Sequence, residues 1–502
     1  MKRFITTLLL ALVAFGFAGK NTDTLNVAWE RTMLTLDTYA TSERLAMIIS
    51  HNIGDTLIHR NPETNEFEPH LATEWEFISD TVLELKLRDD VTFHNGDHFT
   101  ANDVAATLNW VVGEGAGLAG TVTLQWIESA EAIDDYTVQV TAKGIVPTAI
   151  ETLALVGVIY PASIITAENG SVELGQHPVG TGPYKFVGES NNQLHFERFD
   201  DYFVGSKKMP EISKLVIHTL PEESSRIASL MTGDIDIVRS GSISPDQAMS
   251  LGNRARVEAA EILRFWFVQF DETASSGEDF FTDIRVRQAV AHAINKDEII
   301  DILLSGYGRN IDTPCNPVQF GCDEAAAVAY EYNPEKAKEL LAEAGYPNGF
   351  TVDIYGYRDE QVVQAIQGYL EEVGIKTNLQ WYGGQYDVVA QRLAAGELPI
   401  YVGSWGSSSV YDASASMNIH FEHKEQYSVA TNDIIDQALI DALRTVDLNE
   451  RMSLYQTAIR EITENAYMFP LYVGKVIAGV SNEVNWVPSP DEVERYYLAT
   501  WQ

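Results

Sequence analysis

The chain has 502 residues, 45% of them hydrophobic, and carries 72 acidic against 34 basic side chains, a formal net charge of −38. Its length and apolar content allow substantial cores and two or more domains. The acidity argues against nucleic acid, whose phosphates need a basic surface, and against anionic lipid; it suits a saline medium, where screening tempers self-repulsion.

The chain opens with Lys2 and Arg3, then an apolar run from Phe4 to Ala18 broken only by Thr6, Thr7 and Gly16. Gly16 and Ala18 stand where signal peptidase reads small residues, so residues 1–18 read as a cleaved secretory signal ending near Ala18. A buried N-terminal helix is the alternative. The run is short for a membrane span, no later stretch is long and apolar enough, and no cysteine near the cleavage point offers a lipid anchor. The mature chain is therefore expected to be soluble and exported.

Strand-like and helix-like segments then alternate, which predicts a mixed α/β protein. Leu25 to Trp29 reads as a first strand, and Val82 to Leu87 alternates as a half-buried strand does. Thr100 is a candidate N-cap with Asp103 three residues on, and Val104, Leu108 and Val111 recur at helical spacing. The glycines from Gly113 to Gly120 do not lead from a strand into a helix in the dinucleotide pattern, and read as a surface loop.

Arg264 to Phe270 is a nearly continuous apolar run, short enough for a buried strand, and a polar turn around Gly277 leads to a helix from Asp283. The two cysteines, Cys315 and Cys322, flank a Pro- and Gly-containing loop that reads as a local disulfide contributing about 2–3 kcal/mol. The rival reading, zinc, prefers shorter ligand spacing. Tyr332 to Gly345 is a helix with Asn333 as N-cap, Pro334 in the first turn, Ala337, Leu340, Leu341 and Ala344 on one face, and Gly345 as a left-handed cap. His420 and His423 with Glu422 between them could hold a divalent metal, although two exposed histidines on an acidic surface are the favoured reading. After a helical stretch through Met452 and Ile459, Phe469 to Tyr472 suggests a second crossing strand; with the first, it would form a two-strand hinge.

No metalloprotease His-Glu-x-x-His, no Gly-x-Ser-x-Gly elbow and no phosphate loop occurs. Carboxylates are plentiful, but nothing singles out a pair for a hydrolase. The chain is read as a binding protein and not an enzyme, without a cofactor.

One set of segments carries a family likeness. Glu68 to Glu76, Leu87 to Val104, Gly180 to Tyr184, Arg226 with Leu230, Gly233, Asp234 and Asp236, and Asp283 to Ala289, followed by the Tyr332 to Gly345 helix, occur in order along the chain. Together they resemble the family 5 extracellular solute-binding proteins, which include dipeptide, oligopeptide and nickel receptors. Within them, Gly180 and Gly182 read as turn glycines, and Arg88, Arg226 and Arg287 as structural ion pairs. The resemblance implies a two-lobe periplasmic binding protein of type II-like fold. The first lobe would span 19–269 with an inserted subdomain at about 50–180, the second 270–472, and 473–502 would return to the first.

By the same resemblance, the protein is expected to be a monomeric periplasmic receptor. It would pass short peptides or peptide-like solutes to the permease and ATPase subunits of an ABC importer. Its ligand segment would be Trp405, Gly406, Ser407, Ser408, Tyr411 and Asp412. Ser408 stands where peptide receptors often place the aspartate that holds a ligand's α-ammonium. Asp412 either replaces it or the ligand presents no amine there. Arg358 falls near the position that holds a ligand carboxylate, or else pairs with Asp359 or Glu360. Tyr357, Trp266, Tyr382 and Trp381 are candidate pocket walls, or core. Rival cargoes are a chelated metal, an opine or an oligosaccharide. Rival classes are a secreted hydrolase and a periplasmic chaperone or sensor partner.

Overall fold

Two long strands, Ala255–Phe270 and Met468–Ser481, run through the centre of the computed structural model, which describes residues 22–41, 43–113, 122–422, 428 and 431–502. They pair antiparallel in two stretches, Ala255 to Glu261 against Ser481 to Lys475 and Phe265 to Gln269 against Val473 to Met468. Between the stretches the register breaks at Ile262 to Arg264, opposite Gly474. Both segments expected to cross, Arg264 to Phe270 and Phe469 to Tyr472, lie in these strands.

Each stretch nucleates its own half of an 11-stranded sheet. Beside the end of Met468–Ser481 lie Ile237–Val238, then the parallel strands Thr24–Trp29 and Lys214–Thr219, and then the hairpin Gln193–Arg198 and Tyr184–Ser190. Beside the end of Ala255–Phe270 lie Ile400–Trp405 and the parallel strands Phe350–Gly356 and Ile375–Trp381. These are the two lobes. Helices such as Ile284–Ala293, Pro334–Glu343 and Glu360–Glu372 bury their apolar faces against the second half.

Between the first strand and Tyr184 the chain builds a separate four-stranded antiparallel sheet, Ala72–Ser79, Val82–Leu87, Thr137–Ala142 and Ile127–Asp134, with its own core against helix Ala101–Val112. The start of that helix follows from chemistry: the Asp103 carboxylate accepts the Thr100 N–H at 2.8 Å. Asn333 likewise accepts from Lys336 N at 3.0 Å, Pro334 opens the helix, and Gly345 closes it at φ +97°.

The inserted sheet is tied to the first lobe by a buried carboxylate. Asp55 accepts from Lys207 Nζ at 2.8 Å, His70 Nε2 at 2.9 Å, Thr181 Oγ1 at 2.9 Å and Tyr202 OH at 3.1 Å. Burial opposes its charge, but the Lys207 ammonium and these bonds outweigh it and hold the carboxyl well below the usual range. Gly182 sits here because its backbone lies on Ile53; a Cβ would come within 2.4 Å of the Ile53 carbonyl carbon. Close approach, and not turn geometry, explains it.

Two of the three motif arginines differ from expectation. Arg88 does pair with Asp90 at 2.7 Å. Arg226 instead caps the carbonyls of Ser242, Leu220 and Pro221, and Arg287 those of Phe281, Thr282 and Asn465. Five fixed donors suit a guanidinium to gathering backbone acceptors where chain segments converge. Residues 1–18, where the secretory signal is expected, and most of the Gly113 to Gly120 loop lie outside the described residues.

His51 and His420 are buried, and burial pushes each imidazole down to about 3. His420 packs edge-on against Phe267 and Trp405 in the second lobe. Below pH 6.5 the unfolded chain takes up protons that these folded rings refuse. Their stabilisation is therefore complete above that pH and is lost as pH falls from 6.5 towards 3. Each histidine should cost about 2 kcal/mol between pH 7 and pH 5. Denaturant unfolding at both pH values should show a loss about 2 kcal/mol smaller in His420→Phe than in the parent; equal losses would contradict this account.

Candidate functional site

The carboxyl ends of the second-lobe strands open towards the first lobe, the usual place for a ligand in an open α/β sheet. Strand Phe350–Gly356 runs out into Tyr357 and Arg358, and strand Ile400–Trp405 into Gly406 and Ser407. Gly384 and Tyr386 follow strand Ile375–Trp381. Facing them from the first lobe are Arg44, in the first turn of helix Arg44–Ile53, and Arg264, at the break in the long strand. Together with Ser404, these residues line a cavity of about 600 Å³.

The loops that form it are held in costly backbone conformations. Asp359, Ser407, Ser409 and Glu492 all have positive φ, at 56°, 51°, 65° and 58°. Each costs on the order of 1–3 kcal/mol and persists only where neighbours enforce it. Those neighbours are visible. Trp266 stacks on Tyr472 at 5.0 Å and donates its Nε1–H to the Asp359 carboxylate at 2.8 Å, fixing the turn that carries Arg358. Trp405 donates to Ala415 O at 2.6 Å. Ser409 Oγ accepts from Arg44 at 2.5 Å and donates to Asp491 O at 2.7 Å, joining the two lobes at the rim. Gly406 lies against the Arg264 guanidinium, which would have to shift to admit a Cβ, 2.7 Å away as it stands.

Charge sets the site apart. Three guanidinium groups line the cavity, from Arg44, Arg264 and Arg358, and no carboxylate lines it among the described residues. The nearest acid on the first-lobe side is Glu492, whose carboxylate stands 3.8 Å from Arg44 and 3.9 Å from Arg264, too far to hydrogen-bond either. Arg264 is only 21% exposed. Burial lowers its pKa below the ordinary arginine value, opposed by Glu492 and reinforced by the charges of Arg358 and Arg44. Arg358 is exposed and makes no hydrogen bond or ion pair among the described residues. The alternative partner in sequence, Asp359, is bonded to Trp266 instead.

Of the expected ligand residues, Trp405, Gly406, Ser407, Tyr357 and Arg358 come together in this cavity. Four lie elsewhere. Trp266 props the Asp359 turn from behind. Tyr382 stacks on Tyr355 and accepts from Arg392. Tyr411 and Asp412 border a second cavity of about 700 Å³, between the inserted subdomain and the loop closed by the Cys315–Cys322 disulfide. There most of the charged groups are already paired. Arg60 pairs with Glu151 and lies 4.4 Å over the Tyr411 ring. Asp412 is buried, accepting from Arg451 at 2.8 Å and Tyr455 OH at 2.9 Å. Asp412 is thus a structural carboxylate, not an amine anchor reaching the first cavity.

The Ser408 side chain and His423 lie outside what the structure describes. His420 is buried among aromatic rings and not on an acidic surface. No group of three or more His, Cys, Asp or Glu that could hold a metal occurs among the described residues. The sequence reading missed Arg44, Arg264, Gly384 and Tyr386. Arg264 did carry a signal, a lone charge opening an apolar strand.

A sequence model of bacterial extracellular solute-binding proteins, family 5 Middle, matches residues 66–428. Glutathione-binding protein GsiB of Pectobacterium atrosepticum is 26% identical over 479 residues, covering 91% of this chain and 90% of that protein. The structure of HbpA2 from Haemophilus parasuis superposes with a TM-score of 0.84 at 24% identity, over 95% of this chain and all of that one. The periplasmic binding protein DppA from Helicobacter pylori, in complex with peptide STSA, superposes at 0.76 with 26% identity, over 95% and 98% of the two chains.

Removing the Asp412 carboxylate leaves Arg451 buried and uncompensated. Asp412→Ala should cost about 3–5 kcal/mol in denaturant unfolding, whereas Tyr455→Phe should cost about 1 kcal/mol. A loss below about 1 kcal/mol in Asp412→Ala would show that the carboxylate is not structural.

Proposed function

This chain belongs to the family 5 extracellular solute-binding proteins of bacteria, and from that premise we propose that it captures short peptides or peptide-like solutes in the cavity between its lobes. It would act as a monomer in the periplasm, reached by the N-terminal signal, and hand its cargo to the permease and ATPase subunits of an ABC importer. The observation that carries the reading is Arg358, exposed, unpaired among the described residues, and aimed from a braced turn into the cleft.

A guanidinium free of other partners can take a peptide's terminal carboxylate through two parallel hydrogen bonds. Gly406 and Ser407 bring backbone to the cavity wall, where a ligand's main chain could bond to it, and Trp405, Tyr357 and Tyr386 supply apolar walls. No acid among the described lining residues offers an α-ammonium a partner, and Ser408 replaces the aspartate of amine-anchoring relatives. The ligand's amine would therefore face solvent or be absent. This supports peptide-like acids, including opine-type solutes, over oligosaccharides. The 26% identity to a glutathione-binding protein supports the same cargo class. A hydrolase of the paired-carboxylate type would need two carboxylates in the cleft, and the described lining has none.

Binding energy would come from ligand groups that touch both lobes at once, so that the ligand favours the closed arrangement by its differential affinity. The two-strand crossing would serve as the hinge, bending where pairing is interrupted.

Thermal unfolding of the mature protein with di- to pentapeptides tests this. A peptide at a hundredfold its dissociation constant should add about 2.7 kcal/mol of stability, and the shift should vanish in Arg358→Ala. Silence with every peptide, or a shift that survives Arg358→Ala, would sink the reading.

A further inference from the structure

The cleft is more positive than one terminal carboxylate requires. Of the three guanidinium groups that line it, Glu492 stands near two, Arg44 and Arg264, at distances that leave their donors unsatisfied by it. One carboxylate shared between two arginines leaves that side of the cleft with excess positive charge, and Arg358 adds another opposite. Arg264 also reaches across to the second lobe, its guanidinium lying closely against Gly406. Closing the lobes brings these like charges together in a space that excludes water, where their repulsion is weakly screened.

From this arrangement, and resting on the receptor reading above, we propose that the cleft selects peptide-like solutes with two carboxylates: Arg358 holds one, and the Arg44–Arg264 pair holds the other. A zwitterionic peptide with a single carboxylate brings an ammonium into a positive field and leaves the first-lobe pair with Glu492 as its one nearby counter-charge. A dicarboxylate neutralises both sides and bridges the lobes, so that ligand charge itself permits closure. Arg44 also donates to Ser409 at the rim, so engagement of its guanidinium by a ligand is coupled to the contact that joins the lobes.

Matched ligands test the proposal by isothermal titration of the mature protein. Ala-Glu carries two carboxylates and Ala-Gln, its near-isostere, one; N-succinyl-alanine carries two and no amine. Ala-Glu and N-succinyl-alanine should bind about tenfold or more tightly than Ala-Gln, with a preference that shrinks at high salt. The ratio of Ala-Glu to Ala-Gln affinity should fall towards one in Arg44→Gln and recover in part in Arg44→Lys. Arg44→Gln is the informative variant, because Arg264 is largely buried and its replacement threatens folding.

Equal binding of Ala-Glu and Ala-Gln, with both lost in Arg358→Ala, would overturn this inference and leave the receptor reading standing. Inorganic phosphate binding as tightly as Ala-Glu would reduce the arginines to a simple anion site and overturn it as well. No binding by any of the three carboxylate ligands would overturn both.

Discussion

Among the described residues two strands run through both lobes, and the larger interruption in their pairing organises much else. Where Ala255–Phe270 and Met468–Ser481 lose register, Arg264 is freed from the ladder and turned into the cleft. Opposite the break, Gly474 leaves room for the Trp266 ring; a Cβ there would come within 2.5 Å of it. Trp266 in turn stacks on Tyr472 and holds Asp359, whose strained backbone presents Arg358. The larger of two irregularities in this pair of strands therefore underlies two of the three guanidinium groups that line the cavity.

Electrostatics explains why those charges stand out. In a chain with 72 acidic and 34 basic residues, cations are scarce and most of the buried ones are committed. Arg451 is paired with Asp412, Arg495 with Asp491, Arg60 with Glu151, and Arg226 and Arg287 are spent on backbone carbonyls. The cleft is where positive charge is left over. An anion approaching this surface meets net repulsion until it nears the cavity, where low-dielectric walls focus the local field. Salt screens the long-range repulsion more than the short-range attraction, which suits an acidic receptor to a saline medium.

Local chemistry was legible in the sequence wherever it decides the structure. Val82–Leu87 is a strand because its alternation matches the pleat. The helix opened by Asn333 and Pro334 and closed by Gly345 follows from caps and a single apolar face. Both crossing strands announced themselves as apolar runs, and family likeness supplied the architecture that joins them. What stayed hidden depends on contacts between distant parts of the chain. Asp412 is near Trp405 in sequence, but Arg451, 39 residues on, claims it. Arg44 and Arg264 come from segments far from Arg358 and meet it only once the lobes assemble. The left-handed serines Ser407 and Ser409 carry no local marker, since nothing in a run of three serines demands positive φ. His420 stands just before Glu422 and His423 in an acidic chain, which suggests a surface position, whereas its neighbours in space are Phe267 and Trp405.

The most direct test of this account is a crystal structure of the mature protein grown with Ala-Glu. One carboxylate should lie on Arg358 and the other between Arg44 and Arg264, with the lobes closed about the break at Ile262 to Arg264. Density instead in the cavity beside Tyr411 and Asp412, or a ligand whose second carboxylate turns to solvent, would contradict it.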